Sequence, residues 1–174
     1  MHINHKQNYT IENKLYNRIL LLSRNKILYT KFALNDTFQN RINLIFLHMS
    51  FLLNKFTFTD KSKKHKEFNQ KLFDLTFKKI EENMREIGYG DVLVNKNMKS
   101  LIKIFYNIVL NTEKYMQKKI DEKNKFLLSY LSLDVNKKRL NNIDLSNYFD
   151  KYQAFCFDLT GDSVLKGDLN FSYK

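Results

Sequence analysis

Proline is absent from this chain and glycine occurs only four times. The two residues that most often break regular structure are nearly missing, so long uninterrupted helices are permitted and sandwiches or barrels, which need frequent tight turns, are disfavoured. Cysteine is almost absent as well. Cys156 stands alone, so it cannot close an internal disulfide, and no Cys/His cluster has the spacing a zinc site needs. A reducing compartment fits this usage. The amino end, MHINHKQNYTIENK, lacks the apolar core of a signal peptide and the Arg and Ser enrichment of a transit peptide. The expected location is cytoplasmic, with peripheral attachment at the inner membrane as the outer limit. Long apolar runs are missing too. The most apolar stretch, Ile42 to Leu53, contains Asn43, His48 and Ser50 and falls short of the roughly 20 apolar residues of a membrane span. It is expected to be a core helix.

Arginine is scarce: of 30 basic residues only Arg18, Arg24, Arg41, Arg85 and Arg139 are arginine, and lysine carries most of the formal charge of +12. The excess is uneven, since five aspartates stand against three lysines from Asp144 onward. One reading is a surface attracted to polyanions, whether nucleic acid, ribosome or an anionic membrane face. The other is compositional, because AT-rich coding raises Lys, Asn, Ile, Phe and Tyr together. Specific DNA recognition is disfavoured, as bidentate base contacts are usually made by arginine.

With 174 residues, 43% of them hydrophobic, the chain can bury one core as a single domain. Thr10 predicts an N-cap for a helix to about Asn25, with Leu15, Ile19 and Leu22 on one face. A short piece over 27–32 follows. Asn35 and Asp36 are cap candidates for a helix to about Phe56, whose apolar face is Phe38, Ile42, Ile45, Met49, Leu52 and Phe56. The segment TDKSKKHKE reads as a polar connection. Phe68, Leu72, Leu75, Ile80, Met84 and Ile87 then mark an amphipathic helix that Gly88 ends as a left-handed C-cap. After a loop over 89–94, Asn95 is expected to cap a helix to about Ile120, with Met98, Leu101, Phe105, Ile108 and Val109 inside. Shorter helices are expected over 126–133 and 145–159, the latter stopped by Gly161, with an irregular tail after Gly167. The predicted fold is all-α, a compact array or bundle of about five to seven amphipathic helices. The 15 Phe and 10 Tyr are assigned to its core.

Catalytic constellations do not emerge, and no catalytic or metal-binding residue and no cofactor is assigned. His48 lies on an apolar helix and reads as a partly buried histidine with a hydrogen-bond partner. His2, His5 and His65 fall in polar segments. Gly88-Tyr89-Gly90 lacks the third glycine and the preceding strand of a dinucleotide loop. Gly161-Asp162-Ser163 has no downstream Asp-x-x-His to complete a relay. The pairs Glu81/Glu82 and Asp121/Glu122 alternate with lysines as a solvated face does.

Residues 84–99, MREIGYGDVLVNKNMK, exceed what a helix cap requires. By themselves they also fit a C-cap, an Asp that stabilises a turn and two solvated lysines; taken with the resemblance described next, Arg85, Glu86, Gly88, Gly90, Asp91, Lys96 and Lys99 are the candidate partner-binding residues, with Asp36, Arg41 and His48 as supporting positions and a pairing of Arg85 or Glu86 with Asp36 or Arg41 expected.

The stretch from Leu72 to Tyr106 resembles the signature of the ubiquinol-cytochrome c chaperone family, in which a helix ends in Arg-Glu-(Met/Ile)-Gly, a Gly-Asp turn follows, and a Lys-rich helix leads to Phe-Tyr. Upstream, Asp36-Thr37 with Arg41 and His48 is similar to the family's Asp-Thr, Arg and His block. The likeness spans roughly residues 12 to 120 as a family-like core, with 124–174 as a helical C-terminal extension. It departs at Leu93-Val94-Asn95-Lys96, where the family commonly has Gly-Val-Gly-Lys, and a stiffer loop is expected there. The resemblance implies a non-enzymatic assembly factor of the cytochrome bc1 complex that binds newly made cytochrome b. It also implies contact near the ribosome and a small helper protein, as in mitochondrial relatives, while the lysine-rich shell is expected to suit the ribosome or the anionic inner-membrane surface. The reading from residues alone leaves a basic helical RNA-, ribosome- or DNA-binding module as the alternative.

Overall fold

The computed structural model describes residues 10–59, 63–136 and 143–173. The expected positions of His2 and His5 and the core side chain of Phe56 lie outside what is described. The chain order is α1 (Ile11–Ser23), α2 (Lys26–Thr30), α3 (Phe38–Thr59), α4 (Lys63–Glu86), α5 (Asp91–Thr112), a 3₁₀ turn (Tyr115–Gln117), α6 (Ile120–Tyr130), α7 (Ile143–Asp158) and α8 (Gly161–Leu165). The fold is all-α. Among the described residues the one β feature is an isolated bridge between Leu34 and Leu133.

α3 is the central element, packed against α1, α4, α5 and α7, and every residue from Ile42 to Leu52 is buried. A helix that is apolar all round must lie inside a protein or a membrane. Among the described residues no helix is long and apolar enough to cross a membrane, so the apolar run is a core helix.

The polar residues on α3 are what fasten the other helices to it. The Asn40 side chain donates to Asn35 O and Ser132 O, both at 2.8 Å, and accepts from Ser132 N at 2.9 Å. Asn43 donates to Tyr130 O at 2.6 Å, and Lys55 to Phe157 O at 2.7 Å. Tyr130 and Phe157 lie in the last turns of α6 and α7, where carbonyls have no partner within their own helix. Side chains of the central helix therefore satisfy the ends of the C-terminal helices, and one hydrophobic cluster runs from Leu15 to Leu169.

Several local expectations are corrected. The hydroxyl that caps α3 is Thr37 Oγ1, accepting from Asn40 N at 3.2 Å. Asn35 is instead spent on Leu133 O at 2.9 Å and Asp36 on Arg41. α4 begins at Lys63, inside the segment read as a connection, because His65 continues the Phe68 and Leu72 face at helical spacing and is buried. α5 starts at Asp91 and ends at Thr112, well before Ile120. Gly161 opens α8, with Thr160 Oγ1 accepting from Ser163 N at 3.1 Å, so Gly161-Asp162-Ser163 is a helix start. The tail after Gly167 is irregular as expected, yet Phe171 and Tyr173 set their rings against Tyr148.

Candidate functional site

The two sequence blocks singled out above meet at one end of α3. α4 ends in a Schellman motif: Tyr89 N donates to Met84 O and Gly88 N to Arg85 O, both at 3.0 Å, with Gly88 at φ +94°. That left-handed position is one a residue with a Cβ occupies only at a cost. Gly90 is the N-cap of α5 with no side chain to contribute, and its φ of −71° is open to any residue. A Cβ at Gly90 would meet nothing within 4 Å, so the fold does not require glycine there. The loop expected over 89–94 is therefore a short corner, and Leu93-Val94-Asn95-Lys96 forms the opening turns of α5. The stretch expected as a stiffer loop is helix.

Arg85 bridges the corner, donating to Asp91 at the start of α5 and to Glu81 one turn back at 2.9 Å. These carboxylates, Asp91 more than Glu81, hold the guanidinium pKa above its ordinary value. Asp91 also places negative charge at the positive end of the α5 dipole. The pairing expected between blocks is replaced by pairing within them: Arg41 makes a bidentate contact with Asp36 at 2.6 and 2.8 Å. Sequence distance explains this, since each partner is reached within six residues along its own backbone. The blocks face each other across a cleft of about 130 Å³ lined by Phe38 and Gln39 of α3 and by Met84, Tyr89 and Asn97.

His48 is fully buried, with both ring nitrogens occupied. Nδ1 lies 2.7 Å from Leu44 O and Nε2 lies 2.7 Å from the Tyr148 hydroxyl. A carbonyl can only accept, so Nδ1 carries the proton and Nε2 accepts from Tyr148. Burial lowers the imidazole pKa to about 4 despite the Leu44 carbonyl, which raises it. His48 is a neutral pin between α3 and α7, away from solvent.

The outward side of the corner was missed by the sequence reading. Ile87, assigned to the buried face of α4, is 56% exposed, and Val92 and Leu93 are 85% and 45% exposed. Ile87 follows the last helical residue, where the chain has already left the path that buried Met84. From Val92 onward α5 carries one solvent-facing stripe at alternating steps of four and three residues: Val92, Lys96, Lys99, Lys103, Tyr106 and Leu110. The opposite face, Val94, Leu101, Phe105 and Ile108, is core. An open depression of about 540 Å³ lies along the stripe, lined by Val92, Asn95, Lys96, Lys99, Ser100 and Lys103. Glu86, Lys96, Lys99 and Lys103 form no ion pair among the described residues. The heptad spacing of the outer stripe was the signal that could have revealed it.

The family model for the ubiquinol-cytochrome C chaperone matches residues 30–125, which include α3, α4, the corner and α5. The chain belongs to the ubiquinol-cytochrome c chaperone family. The crystal structure of the Cbp3 homolog from Brucella abortus is similar in fold, with a TM-score of 0.78 at 22% identity over 94% of this chain and 89% of that chain. The likeness in fold thus covers more of this chain than the matched segment 30–125. No curated protein sequence matches.

Proposed function

We propose that this protein is a non-enzymatic assembly chaperone that binds newly made cytochrome b and promotes assembly of the ubiquinol-cytochrome c reductase (bc1) complex. The observation that carries the reading is family membership over the segment that builds the corner. A membrane-protein client exposes apolar helices before insertion, and its chaperone has to offer apolar surface while staying in solution through flanking charge. Ile87, Val92 and Leu93 supply the first and Lys96 and Lys99 the second. Arg85, Glu86, Gly88, Gly90 and Asp91 shape and present that surface, and Asp36, Arg41 and His48 support it from α3. The site of action is the cytoplasmic side of the inner membrane, at the ribosome or the anionic membrane surface, with a small helper protein as a further partner. The test is deletion of the gene, followed by measurement of spectroscopic cytochrome b and assembled bc1 complex. Both should fall, and normal levels of both would remove the assignment. Steeply salt-dependent RNA affinity with no affinity for cytochrome b segments would select the nucleic-acid alternative.

A further inference from the structure

We infer that the α4–α5 corner and the outward face of α5 form a docking surface for an anionic lipid bilayer, entered corner first. The inference rests on the chaperone reading for its purpose and on the surface alone for its chemistry.

Three features of the surface point to lipid. The leading end is aliphatic: Val92 is the most exposed large apolar side chain of the corner, with Ile87 and Leu93 beside it and Tyr89 half exposed. Basic side chains follow at set depths behind that end. Lys96, Lys99 and Lys103 come 4, 7 and 11 residues after Val92 on the same face, which at helical rise places them about 6, 10 and 16 Å along the axis. Apolar side chains of interfacial helices enter the boundary between headgroups and acyl chains by roughly 5–10 Å. Lys96 and Lys99 therefore arrive at headgroup level as Val92 reaches the acyl boundary, and the open depression between them is lined to take phosphate oxygens. Finally, the outward face of α5 is one-signed, and the exposed carboxylate of Glu86 stays on the α4 side of the corner. α5 has Asp91 as its sole acid, and Arg85 neutralises it.

Other occupants fit less well. A second copy of this chain would set two lysine stripes against each other. RNA would use the lysines and gain nothing from an aliphatic corner, and the surface lacks a free arginine, since α5 has none and Arg85 is held by Asp91 and Glu81.

The chain has no tryptophan, which makes the corner directly readable. Val92→Trp introduces the sole tryptophan at the leading end, excited selectively over the tyrosines. Phe157→Trp serves as control: Phe157 O accepts from Lys55, and Lys55 lies about 25 Å along α3 from Phe38. The full-length protein is mixed with vesicles of phosphatidylcholine alone or of phosphatidylcholine with phosphatidylglycerol. We expect flotation only with the anionic vesicles and weakening as salt rises. We expect a blue shift at Val92→Trp, quenched by brominated acyl chains, and no change at Phe157→Trp. Each of Lys96→Gln, Lys99→Gln and Lys103→Gln should lower partitioning about fivefold, the fold-change equal to about 1 kcal/mol per lysine near an anionic surface, with an unchanged melting temperature. No flotation with anionic vesicles, equal flotation with neutral ones, or full flotation of the triple lysine variant would overturn the inference. So would a bound Val92→Trp protein with unshifted emission, or displacement by RNA with no shift. Any of those results leaves the chaperone reading to be decided separately by cytochrome b levels in the deletion strain.

Discussion

His48 ties the family-like block on α3 to α7, and its burial makes the fold's stability depend on pH in a calculable way. In the unfolded chain its imidazole titrates near 6.5, and in the fold near 4. Between those values the unfolded state binds a proton that the native state does not. Stability from this group is therefore complete above pH 6.5 and is lost as pH falls toward 4. A shift of this size corresponds to about 3 kcal/mol, a large share of the roughly 5–15 kcal/mol that holds a typical domain together. The assay is urea unfolding followed by far-UV circular dichroism at steps from pH 7 to 4, for the native sequence and for His48→Gln. The variant is less stable at pH 7, because Tyr148 loses its acceptor and Leu44 O its donor, but its curve lacks the His48 component. The gap between the two proteins should narrow as pH falls. A gap that stays constant from pH 7 to 4, or a His48 ring that titrates near 6.5 by NMR in the folded protein, would refute the reasoning.

Tyr148→Phe should cost about 1–3 kcal/mol at neutral pH, since it leaves the buried Nε2 of His48 without a donor; denaturant midpoints measure it. Gly88→Ala should destabilise by about 1 kcal/mol because a Cβ is strained at φ +94°, whereas Gly90→Ala should leave the melting temperature unchanged, since the position has ordinary φ and open space. Lys96→Glu with Lys99→Glu should shift stability by no more than about 0.5 kcal/mol while cytochrome b co-purification drops; full co-purification would remove these two lysines from the client-binding surface. Cys156 should resist thiol reagents in the native protein, because burial pushes its pKa up to about 12, and become reactive on unfolding.

Much of the fold was legible along the chain because its determinants are local. The spacing of Leu15, Ile19 and Leu22 behind Thr10 located α1, and the dense apolar run from Ile42 identified the core helix. Gly88 marked the end of α4 because only a left-handed residue completes that motif. The start of α5 was misplaced by five residues for a related reason: Asn95 is a good cap by type, yet the helix is already capped at Gly90, and a glycine N-cap leaves little trace in sequence. Asn40, Asn43, His48 and Lys55 could be read as polar interruptions of an apolar helix but not as the pins they are. Their partners, Ser132, Tyr130, Tyr148 and Phe157, lie roughly 90 to 100 residues away, and hydrogen bonding across that distance is settled by how α6 and α7 lie on α3. The candidate site divides the same way. Residue order alone placed Arg85, Asp91, Lys96 and Lys99 at a helix junction. Packing of the whole chain set Arg85 on Asp91 and left Ile87 and Val92 in solvent, because exposure depends on which side of α5 the other helices cover.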